Sequence, residues 1–150
     1  RKRRGPVVVV GLLLVAALAA ALGFVVLSGD GGGASRREVV VDGTRSWSDT
    51  GIELSVGDQV RVTAAGSVFH NESSSIGPEG FPNRPDLLTP LDRANHAGLL
   101  ARVGDTGEAF YVGRGASFTA DRDGRLFLGI NDGGLENNRG SFTATVEVGG

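Results

Sequence analysis

The stretch Ser141-Phe142-Thr143-Ala144-Thr145-Val146-Glu147-Val148 decides the fold. Phe142, Ala144, Val146 and Val148 fall on one face and Ser141, Thr143, Thr145 and Glu147 on the other. Alternation with period two marks a half-buried β-strand, because successive side chains point to opposite faces. Upstream, Leu126, Leu128 and Ile130 alternate with Arg125, Phe127 and Gly129. Within Asp58–Ala65, Val60, Val62 and Ala64 alternate with Gln59, Arg61 and Thr63. Turn chemistry bounds these runs at Asp42-Gly43, Val56-Gly57-Asp58, Asp123-Gly124 and Asp132-Gly133-Gly134. Shorter candidate strands are Glu38–Val41, Gly51–Leu54, Leu99–Val103, Ala109–Val112 and Ala116–Ala120. No sustained helical period appears from Arg37 onward. The expectation is an all-β domain over residues 37–150, an antiparallel jelly-roll β-sandwich of about eight strands. A closed barrel is the alternative.

The amino-terminal part has a different character. Within 6–27, the run Val7–Leu27 holds no charged or strongly polar residue. As a helix it matches the roughly 30 Å hydrocarbon core of a bilayer and satisfies its own backbone hydrogen bonds. Residues 1–5 carry Arg1, Lys2, Arg3 and Arg4, which the positive-inside bias keeps cytoplasmic. The expectation is one transmembrane helix over 6–27, a flexible Gly/Ser linker over 28–36 and an extracytoplasmic domain from 37. The rival is a cleaved secretory signal, for which Ala19-Ala20-Ala21 offers small residues, but the apolar run continues well past them. The chain opens on Arg1 without an initiating Met, and the expectation is a piece of a longer chain.

Composition excludes several classes. The 150 residues carry a formal charge of -2 and no Cys. Beyond residue 4 there are seventeen acidic against eleven basic residues, a net of -6. A nucleic-acid binder needs a concentrated positive face, so no nucleic-acid partner is expected. Disulfides, thiolate chemistry and Cys-ligated metals are excluded. After residue 5 all eleven basic residues are Arg, which suits a GC-rich bacterial genome.

Two loops interrupt the strand rhythm. His70 to His96 holds four of the five prolines, and Asn131–Gly140 joins the last two strands. Long loops on a rigid scaffold are where binding residues concentrate. His70 beside Glu72, Ser73, Ser74 and Ser75 lacks a nucleophile elbow. Glu79, Asp86 and Asp92 read as surface carboxylates rather than a glycosidase pair, and no enzyme is expected. His96 is expected at the surface or half-buried at a strand entrance. Asn131-Asp132-Gly133-Gly134-Leu135-Glu136-Asn137-Asn138 offers oxygen donors of the kind a hard cation takes. The same residue types also serve any tight loop, and the EF-hand order is absent.

From about Val39 to Val148 the chain resembles the calcium-dependent galactophilic lectins of bacteria, the PA-IL-like group of the galactose-binding-domain-like sandwiches. The pieces that carry the resemblance are Ala64-Ala65-Gly66, Gly77-Pro78-Glu79-Gly80, Arg84-Pro85-Asp86, Asn131-Asp132 and Asn137-Asn138-Arg139-Gly140-Ser141-Phe142. The resemblance implies a Ca²⁺ held by the side chains of Asp132, Asn137 and Asn138. It also implies two backbone carbonyls as ligands, one at His70 and one at Leu135 or Glu136, where this loop is shorter than the family's. It implies sugar contacts at Arg84, Pro85, Asp132, Gly133 and Asn137. The family's His-Pro-Asp-Gln is Arg84-Pro85-Asp86-Leu87 here. A guanidinium and an apolar side chain thus replace two of its hydrogen-bonding groups, and the sequence does not fix the sugar. The function expected is a membrane-anchored extracytoplasmic lectin-like domain that binds a carbohydrate or cell-envelope glycan through a loop-held calcium ion. The alternative is a non-catalytic interaction or sensor ectodomain. A homo-oligomer is among the arrangements this class allows.

Overall fold

The computed structural model describes residues 35–82 and 88–149. The expected transmembrane helix lies outside them, as do Arg84 and Pro85. Among the described residues no helix is long and apolar enough to cross a membrane.

The described residues are all-β, with nine strands among them: β1 (Ser35–Asp42), β2 (Trp47–Leu54), β3 (Gln59–Phe69), β4 (Ser75–Ile76), β5 (Leu99–Val103), β6 (Phe110–Tyr111), β7 (Gly115–Thr119), β8 (Gly124–Ile130) and β9 (Arg139–Gly149). One sheet runs β1-β9-β3, with β7 and β4 sharing the far edge of β3. The other runs β2-β8-β5-β6. Every pairing is antiparallel.

The alternation that predicts the strands also sets the register. Val39 pairs with Ala144 and Ala144 with Ala64, while Val62 lies opposite both Val146 and Ala116. Apolar positions therefore line up across the first sheet. On the second sheet Leu99 faces Ile130, Ala101 faces Leu128 and Val103 faces Leu126. These two apolar faces form one core, in which Phe142, Val41, Val62, Val146, Leu99, Leu126, Leu128 and Ile130 are fully buried. A fully buried Leu, Ile or Phe contributes about 1.5–3 kcal/mol relative to exposure, so this shared layer holds the two sheets together. Thr50 is buried among them, and its hydroxyl donates to the Leu126 carbonyl at 2.7 Å, closing β2 onto β8.

The structure shifts several sequence boundaries. Ser35 and Arg36, expected as the end of the linker, already pair with Val148 and Glu147. The short strand β4 lies in the proline-rich loop that shows no strand pattern, because only two of its residues pair. The rest of that loop packs on the domain: Leu99 donates to the Pro78 carbonyl at 2.8 Å, and Phe81 bridges His96. Gly80, at φ 67°, permits this approach, since a Cβ there would come within 2.6 Å of the His96 carbonyl.

Candidate functional site

The ends of β1, β3 and β8 and the start of β9 meet at one pole of the domain. The Asn131–Asn138 loop crosses that pole between the two sheets, since β8 belongs to one and β9 to the other. Its middle tightens into a single 3₁₀ turn, Leu135–Asn137.

Asp132 is 5% exposed and Asn138 is 7% exposed, and the two are bonded to each other. Asn138 Nδ2 donates to Asp132 Oδ2 at 3.0 Å and to the Gly43 carbonyl at 3.0 Å. Asp132 Oδ1 accepts the Gly134 N–H at 2.8 Å. Both amide protons of Asn138 are thereby engaged and its orientation is fixed. Its Oδ1 is closed off from solvent with no hydrogen-bond donor among the described residues. A buried acceptor without a partner is unfavourable by about 1–3 kcal/mol, so this oxygen calls for a cation or an ordered water. Alongside, Asp42 holds the turn that carries Gly43. Hydrogen bonds from the backbone and hydroxyl of Thr44 keep its carboxyl below the usual carboxylate range.

A hollow of ≈ 410 Å³ opens beside this pair, lined by His70, His96, Asp132, Gly133, Glu136, Asn137 and their neighbours. Its floor contains a chain of side chains. Asn71 Nδ2 lies 3.1 Å from His70 Nε2, His70 Nδ1 lies 3.2 Å from His96 Nε2, and His96 Nε2 lies 3.9 Å from Asp132 Oδ2. The His70 ring also packs against Phe81, with centroids 4.6 Å apart.

Asp132, Gly133, Asn137 and His70 are thus brought together on one hollow, with Asn138 bonded directly behind it. Leu135 is placed differently. Its side chain packs against the core, and its carbonyl accepts the Asn138 N–H at 3.1 Å. Of the two positions expected to offer a second backbone carbonyl, Glu136 is the one on the hollow. His96 corrects the expectation of a surface or half-buried residue: it is 8% exposed and sits in the floor. The bridge to Phe81 folds the long loop back and carries His96 inward, a tertiary event with no local spacing signal. Among the surface groups, Asn71 Oδ1 accepts the Ser73 and Ser74 N–H groups as an Asx turn, and Glu79 pairs with Arg114 at 2.9 Å.

Asn131 is the residue whose importance the sequence conceals. It is fully buried. Its Oδ1 accepts the Leu91 N–H at 2.9 Å, and its Nδ2 points at the carbonyls of Leu91, Ala94 and Asn95 at 3.0–3.2 Å. Its backbone carbonyl accepts the Ala97 N–H at 2.8 Å, and Ala97 stands in the left-handed region at φ 58°. Such strain persists only where surrounding bonds impose it. Here it fixes the backbone beside His96.

Two antiparallel sheets packed on one core, with a loop-built pole, define an all-β sandwich domain. The chain is similar to the solved structure of the EclA N-terminal domain, a PllA-like lectin, at 23% identity over 74% of this chain and 94% of that chain, with a TM-score of 0.61. The likeness at that identity is one of fold. No protein-family model matches the chain, and no curated protein matches it.

Proposed function

We propose that this domain is a non-catalytic carbohydrate-binding module, a jelly-roll sandwich that takes its ligand at the Asn131–Asn138 pole through a calcium ion. The observation that supports it most is the Asp132–Asn138 pair: a buried carboxylate bonded to an amide whose own oxygen is oriented and left without a donor. Hard cations favour such oxygens, and the residues present fit the ion. Asp132, Asn137 and Asn138 would hold it with their side chains and His70 and Glu136 with their carbonyls. When bound, the ion would supply electrostatic coordination to sugar hydroxyls, and so a preference for their stereochemistry.

The chain's own residues do the rest. Asp132 and Asn137 accept and donate to the same hydroxyls, and Gly133, whose lack of a Cβ lets the Leu88 backbone pack against the loop, contacts the sugar through its main chain. In this reading Arg84 and Pro85 also contact the sugar, which is a residue of a cell-envelope glycan. The apolar segment 6–27 anchors the chain in the membrane, with residues 1–5 cytoplasmic and the domain outside. β1 starts at Ser35, beside Val148, and ends at Asp42, beside Ser141. The Asn131–Asn138 pole therefore lies at the end of the domain opposite the entry of the chain, and an anchored domain presents it away from the bilayer.

A glycan array probed with the chain in Ca²⁺, in EDTA, and with Asp132→Asn tests this. Binding to a defined sugar set that vanishes in EDTA and in the variant supports it. Absence of any glycan signal, or a signal indifferent to both, favours the interaction-module alternative.

A further inference from the structure

The outer face of the four-stranded sheet carries a second constellation, outside the hollow at the loop pole. In register across it lie Trp47, Gly129, Leu100 and Tyr111 in one row, and Asp49, Phe127 and Arg102 in the next. The guanidinium of Arg102 stands 4.5 Å from the Trp47 ring centroid and 5.1 Å from that of Phe127. Trp47 in turn is seated on Gly129, where a Cβ would come within 2.7 Å of the indole. The two rings attract and orient the cation.

Held there, Arg102 has no hydrogen bond or ion pair among the described residues, and its Nε is closed off from solvent without an acceptor. Of the nearby carboxylates, Glu53 lies 2.6 Å and Asp49 3.5 Å from Arg125, and neither bonds Arg102. Arg61 and Arg93 are exposed, where water serves a guanidinium, whereas Arg102 is half-buried. An immobilised guanidinium whose donors are unpaired is a preorganised receptor for a planar anion.

We propose that Trp47, Arg102 and Phe127 form a second binding site, which takes the carboxylate of an acidic glycan. The terminal guanidinium nitrogens form the fork for the carboxylate. Tyr111, 39% exposed, lies one strand over and two residues along β5 from Arg102. That is about 8 Å at ordinary strand spacings, close enough for the next sugar of the same chain to lay its C–H face on the phenol ring. The site needs no metal, so it stands or falls separately from the calcium pole.

The test is calorimetric titration of the full chain with an oligogalacturonate in EDTA, beside a neutral galacto-oligosaccharide and a carboxylate-rich peptide. The expected result is binding of the acidic oligosaccharide alone, weakened by added salt. Arg102→Gln should lower the affinity about tenfold or more, and Arg102→Lys, which keeps charge without the fork, should fall between. Arg61→Gln, which removes an exposed guanidinium on β3 of the other sheet, should leave this binding unchanged. No binding by the unmodified chain overturns the proposal. So does an Arg102→Gln affinity equal to that of the unmodified chain, loss of binding in Arg61→Gln, or preference for the peptide.

Discussion

Replacing Asn131 by Ala removes the side chain that ties the Leu91–Asn95 segment to the end of β8. Four contacts disappear, one accepted by Oδ1 and three directed from Nδ2 at carbonyls. The amide has two protons, so the loss is closer to about three full hydrogen bonds, each worth about 1 kcal/mol net. Water reaches the half-buried Leu91, Ala94 and Asn95, which limits the penalty for their freed groups. The expected destabilisation is about 2–4 kcal/mol, or a melting midpoint roughly 8–16 °C lower for a domain of this size. Asn131→Asp is the sharper variant. It keeps the acceptor for Leu91 but turns a second oxygen, and a negative charge, toward three carbonyls. At neutral pH it should be at least as damaging as Ala. Burial and the carbonyls raise the new carboxyl's pKa in the folded state, so its deficit relative to the unmodified chain should shrink as pH falls through that value. Circular dichroism melts from pH 4 to 8 measure both effects. An Asn131→Asp variant melting within about 2 °C of the unmodified chain at pH 7 would refute the donor role.

Three further outcomes follow from the packing. Gly129→Ala places a Cβ 2.3 Å from the Ser46 carbonyl and 2.7 Å from the Trp47 ring; overpacking of this kind lowers stability by about 1–3 kcal/mol, and a shift in Trp fluorescence should accompany it. Thr50→Val, nearly isosteric, leaves the buried Leu126 carbonyl without its 2.7 Å donor, for a loss of about 1–2 kcal/mol in urea unfolding. Phe142→Ala, in the middle of the shared core, should lower stability by about 3–5 kcal/mol; a loss below about 1 kcal/mol would mean that the two sheets do not depend on that layer.

Much of the architecture was readable because each long strand buries one face. Val60, Val62, Phe142, Ala144, Val146, Leu126, Leu128 and Ile130 are all buried, as their alternation requires. What alternation misses are elements too short to show a period, such as Ser75–Ile76, and the first half of Trp47–Leu54, of which only Gly51–Leu54 is legible because the pairing is interrupted between Asp49 and Glu53. At the candidate site, Asp132, Asn137 and Asn138 stand out as oxygen donors on one loop. His96 and Asn131 do not, because their roles arise from a loop folding back over distances of 26 to 40 residues. The contact of Trp47 with Arg102 has no local signal either, since it depends on β2 and β5 flanking β8 in the same sheet.

The calcium reading is tested most directly by a thermal melt of the chain in excess EDTA and then in millimolar Ca²⁺, with Mg²⁺ as control. A ligand that binds only the folded state at a hundredfold excess over its Kd adds about 2.7 kcal/mol, or roughly 10 °C. The account predicts a rise of several degrees with Ca²⁺, little with Mg²⁺, and none with Ca²⁺ in Asp132→Asn. A cooperative melt at the same midpoint in EDTA and in Ca²⁺ would contradict it.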